Sequence, residues 1–556
     1  MAKKKYSRRE FLKHNSLAGF GAVFAISMAP PLFAEDVRGA QTSAYLSCKG
    51  EIMKNPTFTP LVSGHTYFID SVGGDDANDG LTTSAPFKTY ASREFTGGDT
   101  VLFKRGSVIR DALIARNGNE QAPITYDAYG EGDSPVFLGS VPVGDPDRWV
   151  EENPSLWRYT GTFPSEVCNL IFNDGEYCGN LRWRIEDLHQ PGEWHYTGIG
   201  MNSGGEFGNR HGSSEDVLYL CSLINPGLAY ASIECALWGQ RRLVGGQHDI
   251  ILENLSFQNA GVHGYQEYHA RNVVIRHCEF RFIGGAVWNL KNRIRFGNAV
   301  ELWDGAADVT VEGCLFDNIY DSAVTHQGGE TRNIPERIHF LNNLFINCGL
   351  CAYESREPSR EVYFEYNTCI NAGGGFSMQG EVPPRRSDPY PQLVGYHVFI
   401  FLIEPNTQPG PVYIRHNIFC ESYGAAINAI IDPADAIKFI IDHNCYWQTT
   451  GKQLIQFSQL MEGKTWPEAL ASMVMNGDLM IRKSSRSYSP LEFGRYQEEC
   501  CQDRNSRIER PLFIDEAGGD YRQRNNSPCQ DMGIQTIFRG KVRGKTLPSG
   551  RYDQRM

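Results

Sequence analysis

The segment Ile338-His-Phe-Leu-Asn-Asn343 places apolar residues at every second position and ends on an asparagine. Five other segments repeat this pattern with Cys or Asn at the last position: residues 273–278, 309–314, 362–367, 412–417 and 439–444. Such alternation predicts a short strand with one buried face. Because the strand returns every 24 to 50 residues, neighbouring copies are expected to cover that face, as in a solenoid of stacked coils.

The residue that ends each copy predicts how the coils turn. These residues are Cys278, Cys314, Asn343, Asn367, Asn417 and Asn444. Amides stacked at the strand spacing of about 4.8 Å hydrogen-bond along the stack, and Asn tolerates the left-handed backbone of a sharp corner. We therefore predict an asparagine ladder at a corner of a right-handed parallel β-helix. The 50-residue interval from Val362 to Val412 is expected to hold about two coils, one disturbed by a Pro-rich stretch.

The composition suits a large core, since 41% of the 556 residues are hydrophobic and 12% are aromatic. By length the chain would hold several domains of roughly 150 residues, but a solenoid grows by adding coils. The formal net charge of −12 argues against nucleic acid as a partner. The 15 cysteines have no zinc-type spacing, so a structural zinc site is not expected.

The N-terminus predicts an export signal. Ser7-Arg8-Arg9-Glu10-Phe11-Leu12-Lys13 fits the twin-arginine pattern, and a weakly apolar run over 17–33 leads to Ala34 as the last residue before cleavage. That run is too short and too rich in small residues for a spanning helix. The mature protein is therefore expected in the periplasm or outside the cell, with the twin-arginine machinery as a partner and no stable membrane insertion.

Segments at both ends of the chain resemble one enzyme group. Near the start these are the Gly- and Asp-rich loop 73–80, Pro86-Phe-Lys-Thr89, and two strand-like stretches at 98–106 and 123–130; near the end they are 511–515, 519–521 and 527–533. Together with the repeat, this succession resembles right-handed parallel β-helix carbohydrate-active enzymes of the pectate-lyase-like superfamily. The resemblance implies a polysaccharide or oligosaccharide substrate, and it does not separate glycoside hydrolases from polysaccharide lyases.

These features divide the chain into six parts. They are a signal peptide (1–34), an N-terminal cap with the first coils (35–140), an inserted β-subdomain (141–247), the parallel β-helix coils (248–447), an irregular C-terminal segment with a closing coil (448–533) and a polar tail (534–556). The fold class is thus all-β, a single-stranded parallel β-helix with an insertion. The insertion resembles a subdomain of some β-helix glycosidases.

A second strand in each coil carries the residues expected to do chemistry. Laid in register, its copies are 261–266, 298–304, 322–327, 350–355 and 375–380. Stacking brings their side chains within about 4.8 Å per coil, and His, Glu and Gln beside aromatic residues are typical of a binding groove. The predicted substrate-binding residues are His263, Gln266, Trp303, Gln327, Tyr353, Gln379 and Arg356.

Glycoside hydrolysis requires two carboxyl groups, one as acid and one as base or nucleophile. Glu301 and Glu354 are our first pair, because two coils of separation place them at roughly 9–10 Å, the upper edge of the range for inversion. Asp304 and Glu330 form a second pair, nearer the retaining distance. His326, between the two glutamates, is expected to tune a pKa or bind a hydroxyl. If the register is wrong by one residue, any of these side chains would point into the core.

Two alternatives to a glycoside hydrolase stay open at this point. A lyase or epimerase would use cations on a uronate, with Lys291, Arg293, Arg295, Arg356, Arg360, Arg385 and Arg386 as candidates and His326 or Lys291 as base. A non-catalytic glycan-binding protein would show repeated aromatics on many coils. No cofactor is expected, apart from calcium at Asp75, Asp76 and Asp79, whose carboxylates are also suited to closing Asx turns.

Overall fold

The computed structural model describes residues 64–200, 212–239, 242–290, 294–327, 333–356, 358–374, 395–401, 410–431, 436, 438–449, 453–460, 482–534 and 545–546. Three long sheets dominate this part of the chain, each with ten strands. Within them, all neighbouring strands run parallel except one pair, Ile455–Leu460 and Arg482–Tyr488, which is antiparallel. The prediction of a parallel β-helix is confirmed.

Each coil passes through sheets A, B and C in turn. Sheet A contains Thr66–Ile69, Thr100–Lys104, Ile124–Tyr129, His248–Glu253, Arg271–Arg276, Ala307–Glu312, Glu336–Leu341, Arg360–Glu365, Val412–Arg415 and Phe439–Asp442. Sheet B contains Val108–Ile109, Val136–Leu138, Ser256–Gln258, Glu279–Ile283, Leu315–Ile319, Leu344–Ile346, Thr368–Ala372, Ile418–Ser422, Cys445–Trp447 and Arg507–Ile508. Sheet C contains Leu113–Ile114, Arg242–Gly245, His263–Tyr268, Val300–Trp303, Ser322–Gln327, Cys351–Arg356, Tyr396–Phe401, Ile427–Ile430, Ile455–Leu460 and Arg482–Tyr488.

The six sequence repeats form consecutive strands of sheet A, and their inward residues build the core. Val309, Ile338 and Val362 pair with one another in register and are fully buried. Phe280, Phe316 and Phe345 stack one above another from sheet B, with ring centroids 5.2 and 4.8 Å apart. One continuous apolar cluster therefore runs through the coils, as stacking of half-buried strands requires.

The asparagine ladder lies at the corner between sheets A and B. The backbone N–H groups of Asn343, Asn367 and Asn417 each donate to the side-chain oxygen of the next asparagine, at 2.9, 2.9 and 3.0 Å. The side-chain amides repeat the same link at 3.1 to 3.2 Å. The backbone N–H of Cys314 donates to the side-chain oxygen of Asn343 at 2.9 Å, so Cys314 continues the ladder through its backbone. The predicted ladder is therefore present.

Two details of the corner differ from prediction. The left-handed backbone belongs to the residue before each ladder position, with φ of 53° at Asn342 and 57° at both Tyr366 and His416. The chain thus turns first, and the ladder side chain then points inward. In addition, Arg360–Glu365 pairs directly with Val412–Arg415. The 50-residue interval is therefore one coil with a long excursion, and the expectation of two coils was wrong.

Two further sheets, between the early coils, form the insertion. One contains Ser140–Pro142, Ile233–Leu237, Val167–Phe172, Tyr177–Cys178 and Lys545–Thr546; the other contains Trp149–Asn153, Leu156–Tyr159, Leu218–Cys221, Glu193–Tyr196 and Asn180–Leu181. They enclose a separate apolar cluster that includes Phe172 and Trp194. Arg242–Gly245, which the sequence division assigned to the insertion, is a strand of sheet C.

The remaining elements are short. Two-stranded sheets join Ala286–Asn289 with Ile294–Phe296 and Phe513–Asp515 with Asp520–Gln523. The helical segments are Pro146–Arg148, Asn173–Gly175, Ile185–Asp187, Pro226–Ala229, Pro490–Glu492 and Phe493–Cys500. A disulfide links Cys445 to Cys529. Within the described residues, no helix has the length and apolar character needed to cross a bilayer.

Candidate functional site on sheet C

The outward face of sheet C carries both predicted glutamates. In the strand Val300–Trp303, Val300 and Leu302 point into the apolar core, so alternation turns Glu301 outward. Glu301 pairs with Thr325, and Thr325 pairs with Glu354. The two glutamates thus share one column, two strands apart, at a backbone separation of about 9–10 Å. The predicted register of this pair is confirmed.

Three side chains contact the carboxylate of Glu301. Gln327 donates to one oxygen at 3.0 Å, and Gln266 donates to the other at 3.1 Å. The Nδ1 atom of His263 lies 2.9 Å from that second oxygen and 3.1 Å from the backbone N–H of Asn298. Both oxygens of Glu301 therefore accept hydrogen bonds, an arrangement that suits an ionised carboxylate.

The second glutamate has a different environment. The Ser322 hydroxyl donates to Glu354 at 2.8 Å, whereas the exposed fractions of the two glutamates are similar, 5% for Glu354 and 2% for Glu301. Burial raises the pKa of Glu354 above its ordinary value; the charge of Arg356 opposes that rise, while Asp321 and Glu301 add to it. A carboxyl group with a raised pKa retains its proton at higher pH, as a general acid must.

Thr325 lies between the two glutamates and was not among the predicted site residues. Its side chain is fully buried, and its hydroxyl has no hydrogen-bond partner in the described structure. Ser322 and Asn298, also absent from the prediction, are linked by a 2.9 Å bond from the Ser322 N–H to the Asn298 side chain. Only the strand register shows that these residues belong to the site, because Thr, Ser and Asn are ordinary side chains for a surface strand.

A second outward column carries Tyr268, Trp303, Gln327 and Arg356 on successive strands. The rings of Tyr268 and Trp303 stack with centroids 5.8 Å apart and planes 21° from parallel. Arg356 donates to the Gln327 side-chain oxygen at 3.2 Å. Because Gln327 also bonds Glu301, this column is joined to the glutamate column.

The prediction that His326 lies between the glutamates was wrong. His326 pairs with Leu302, a core position, so it points into the coil. Its Nε2 atom lies 2.8 Å from the Tyr353 hydroxyl, and Tyr353 packs in the same core. Burial lowers the pKa of His326 to about 3. Neither residue faces the surface that carries Glu301, since alternation assigns them to the opposite side.

The fifth strand of this face was also predicted wrongly. Cys351–Arg356 pairs with Tyr396–Phe401, so residues 375–380 are not the next strand of sheet C. Gln379 lies outside the described residues, as does Glu330, and the pair of Glu330 with Asp304 stays a prediction. Asp304 itself ends the strand with φ of 50°, and its carboxylate lies 3.7 Å from His269.

The cations considered for a lyase do not converge on this face in the described structure. Arg295 is buried and donates to the carbonyl oxygens of Gly285 and Cys168 at 2.5 and 2.9 Å. Arg360 lies on sheet A and pairs with Glu336 at 3.3 Å. Among the candidates that the structure describes, Arg356 lies beside the glutamates. Lys291, Arg293, Arg385 and Arg386 lie outside the described residues.

The three loop aspartates proposed for calcium contact the backbone. Asp75 and Asp79 each accept a hydrogen bond from the N–H two residues on, at 3.0 Å, which is the Asx turn. Asp76 accepts from Thr89 and pairs with Arg93 at 3.0 Å. Across the part of the chain that is described, His, Cys, Asp and Glu side chains form no group of three or more suited to a metal.

Comparison with known proteins gives similarity to carbohydrate-active enzymes. No model of a protein family matches the sequence. A stretch of 145 residues, 24% of this chain, is 31% identical to a lacto-N-biosidase from Bifidobacterium longum subsp. longum and covers 8% of that protein. The chain therefore spans less than a tenth of the length of this curated relative.

Two solved structures are also similar. One is described as a glycoside hydrolase, with 10% identity, coverage of 70% of this chain and 89% of that chain, and a TM-score of 0.42. The other is a GH136 lacto-N-biosidase from Eubacterium ramulus, with 13% identity, coverage of 70% and 61%, and a TM-score of 0.40. The three parallel sheets establish the fold on their own: this chain is a parallel β-helix and resembles carbohydrate-active enzymes built on that fold.

Proposed function

We propose that this protein is a glycoside hydrolase that cleaves a polysaccharide or oligosaccharide with Glu301 and Glu354. The observation that carries the proposal is their shared outward column on sheet C, two strands apart. A backbone separation of about 9–10 Å lies at the upper edge of the carboxyl separations of inverting hydrolases, in which a water lies between the two groups. Thr325, with its unpartnered hydroxyl between them, would bind that sugar or water.

The two environments divide the roles. Glu354, whose pKa is raised by burial, is the general acid that protonates the leaving oxygen. Glu301, which accepts hydrogen bonds from Gln266 and Gln327, is the general base for the attacking water. Proton transfer by each positioned carboxyl group is worth roughly 10²–10⁴ in rate. The stacked rings of Tyr268 and Trp303 offer an apolar surface for a sugar beside Glu301.

Glu301→Gln and Glu354→Gln test the assignment, because each keeps the side-chain shape and removes the acid–base function. We expect each to lower kcat at least about 100-fold with an unchanged far-UV circular dichroism spectrum. Substrates should include neutral and uronic-acid polysaccharides and a chromogenic lacto-N-bioside, chosen because the relative is a lacto-N-biosidase. Glu312→Gln, at an outward position of sheet A, is the matched control.

Reducing ends and ultraviolet absorbance of unsaturated uronates should be followed together. Reducing ends without absorbance support hydrolysis. Absorbance rising with reducing ends would mean β-elimination and would reject the hydrolase, and full activity in both glutamine variants would reject the site. Binding without any cleavage by the wild type would indicate a glycan-binding protein instead.

Export by the twin-arginine route is part of the same proposal. The Ser7–Lys13 pattern supports it, and a polysaccharide substrate is met outside the cytoplasm. Replacing Arg8 and Arg9 with Lys keeps the charge but removes the guanidinium pair, so the protein should remain in the cytoplasm. Recovery of that variant in the periplasm would contradict this route.

A further inference from the structure

A cleft of about 1010 Å³ lies on sheet B and not on the glutamate face. Its floor is the outward surface of two neighbouring strands, on which Ser256 pairs with Glu279 and Gln258 pairs with Arg281. The insertion supplies a wall that includes Glu234. Sheets B and C are different sides of each coil, so a ligand in this cleft would leave Glu301 and Glu354 free.

The side chains of the floor hold one another in place. Gln258 donates to the Ser256 hydroxyl at 2.8 Å, and that hydroxyl lies 3.4 Å from Glu279. Arg281, only 5% exposed, donates to Glu279 at 3.2 Å and to Asp317 at 2.7 Å. Polar groups that are already fixed lose little conformational freedom when a ligand binds.

The wall is fixed in the same way. Arg110 donates to both oxygens of Glu234, at 2.9 and 2.7 Å, and the Ser140 hydroxyl donates to it at 2.7 Å. The insertion is thereby tied to the coil at the edge of the cleft. The walls and the floor are one preorganised surface.

The charged side chains of the floor and of Glu234 form ion pairs within the protein. Arg281 lies between Glu279 and Asp317, and Glu234 pairs with Arg110. A bound polyanion would meet these carboxylates, and a charged ligand of either sign would compete with existing ion pairs. Arg105, Asp133 and Asp174 add charges of both signs to the lining, so neither sign of ligand charge is favoured and the cleft suits a ligand that is polar and uncharged.

We propose that this cleft binds a neutral oligosaccharide chain, separately from cleavage at sheet C. Hydroxyl, amide, carboxylate and guanidinium groups alternate along the floor, and a sugar hydroxyl both donates to and accepts from such groups. The volume of about 1010 Å³ is at the upper end of ligand pockets and accommodates several sugar rings. A peptide would need a free strand edge or apolar pockets, whereas this floor is the polar face of a sheet.

Binding of cellohexaose, xylohexaose and hexagalacturonate to the full chain carrying Glu354→Gln tests the proposal by calorimetry. We expect a neutral hexasaccharide to bind and hexagalacturonate not to bind. Gln258→Ala should weaken binding about tenfold, the effect of one lost hydrogen bond of the stronger kind. Gln190→Ala, an exposed glutamine of the insertion, should leave the dissociation constant unchanged.

Hydrogen exchange with the same three probes, and with hexalysine as a cationic probe, needs no cleft variant. The proposal expects protection of the strands Ser256–Gln258 and Glu279–Ile283. Protection confined to the strands Val300–Trp303 and Cys351–Arg356, or the absence of binding by both neutral probes, would overturn it. Binding of hexalysine with protection of sheet B would also overturn it, in favour of a cationic ligand. Cleavage by the wild type is measured separately, so failure here leaves the hydrolase proposal standing.

Discussion

Glu301 and Glu354 are the same residue type on the same face, and their surroundings give them different chemistry. Both oxygens of Glu301 accept hydrogen bonds. Glu354 has a hydroxyl donor at 2.8 Å and a pKa raised chiefly by burial. Enzymes separate the roles of two carboxyl groups by such differences in environment. The nearby charge that opposes the raised pKa is that of Arg356, so a substitution of Arg356 changes the pKa of Glu354 without altering the glutamate itself.

Arg356→Gln should shift the pH profile toward alkaline pH. The charge of Arg356 lowers the pKa of Glu354, so removing that charge raises the pKa further. The general acid must be protonated, so the alkaline limb of kcat/KM, which reports the free enzyme, moves to higher pH. Arg356→Lys retains the charge and should leave the limb in place. A limb that moves to lower pH in the glutamine variant would contradict the assignment of Glu354 as acid.

The glutamate pair could be predicted from the sequence, but part of its surroundings could not. Period-2 alternation identifies Glu301 and Glu354 as outward if the register is right, and it was right for these strands. The same alternation makes His326 inward, although histidine is a common catalytic residue. Thr325 carries no such chemical signal, and only its place between two carboxyl groups marks it.

At the scale of the element, the ladder is the feature that sequence predicts best, because each position is read from its own repeat. The left-handed corner residue was misplaced by one position, since both Asn342 and Asn343 suit a corner and only the backbone shows that Asn342 has φ of 53°. The excursion between Val362 and Val412 was counted as a coil, because its length does not show whether the chain returns to the same strand position.

Asn417→Ala should weaken the ladder locally. The Asn417 side chain donates to the Phe364 carbonyl at 2.9 Å and to Asn444 at 3.1 Å, and accepts from the Asn367 N–H at 2.9 Å. Removing it leaves buried groups without partners, at a cost of about 2–4 kcal/mol. The melting temperature should fall, and hydrogen exchange at the Asn367 amide should accelerate more than about tenfold.

The matched control for that change is Asn153→Ala. Asn153 is an exposed residue at the end of the strand Trp149–Asn153. Its loss should alter the melting temperature by less than that of Asn417, because its side chain is exposed to water. Equal effects of the two substitutions would mean that the ladder is no more important to stability than a surface contact.

At the scale of the whole molecule, the insertion and the coils each have a main apolar cluster, and they are joined by two smaller shared apolar clusters and by specific polar contacts. The sequence predicted an interruption but could not predict these contacts, because they join residues more than 100 positions apart. Arg295 is the main example: it reaches from the coils to the Cys168 carbonyl at 2.9 Å and the Asn169 side chain at 2.8 Å. Its guanidinium also lies 4.6 Å from the centre of the Tyr320 ring.

Arg295→Ala should therefore loosen the insertion, which the shared apolar clusters still hold to the coils, while the coils stay folded. The substitution leaves the Cys168 carbonyl and the Asn169 side-chain oxygen without this donor and removes the stacking on Tyr320, at a cost of about 3 kcal/mol or more. Limited proteolysis followed by mass spectrometry should then show cuts within residues 143–237 at least about tenfold faster than in the wild type, whereas Arg271→Ala, at an exposed position of sheet A, should not change them. Because solenoid coils are stabilised by their neighbours, the later coils should resist cleavage in both variants. Cleavage that begins in the coils would instead show that the insertion and the coils unfold as one unit.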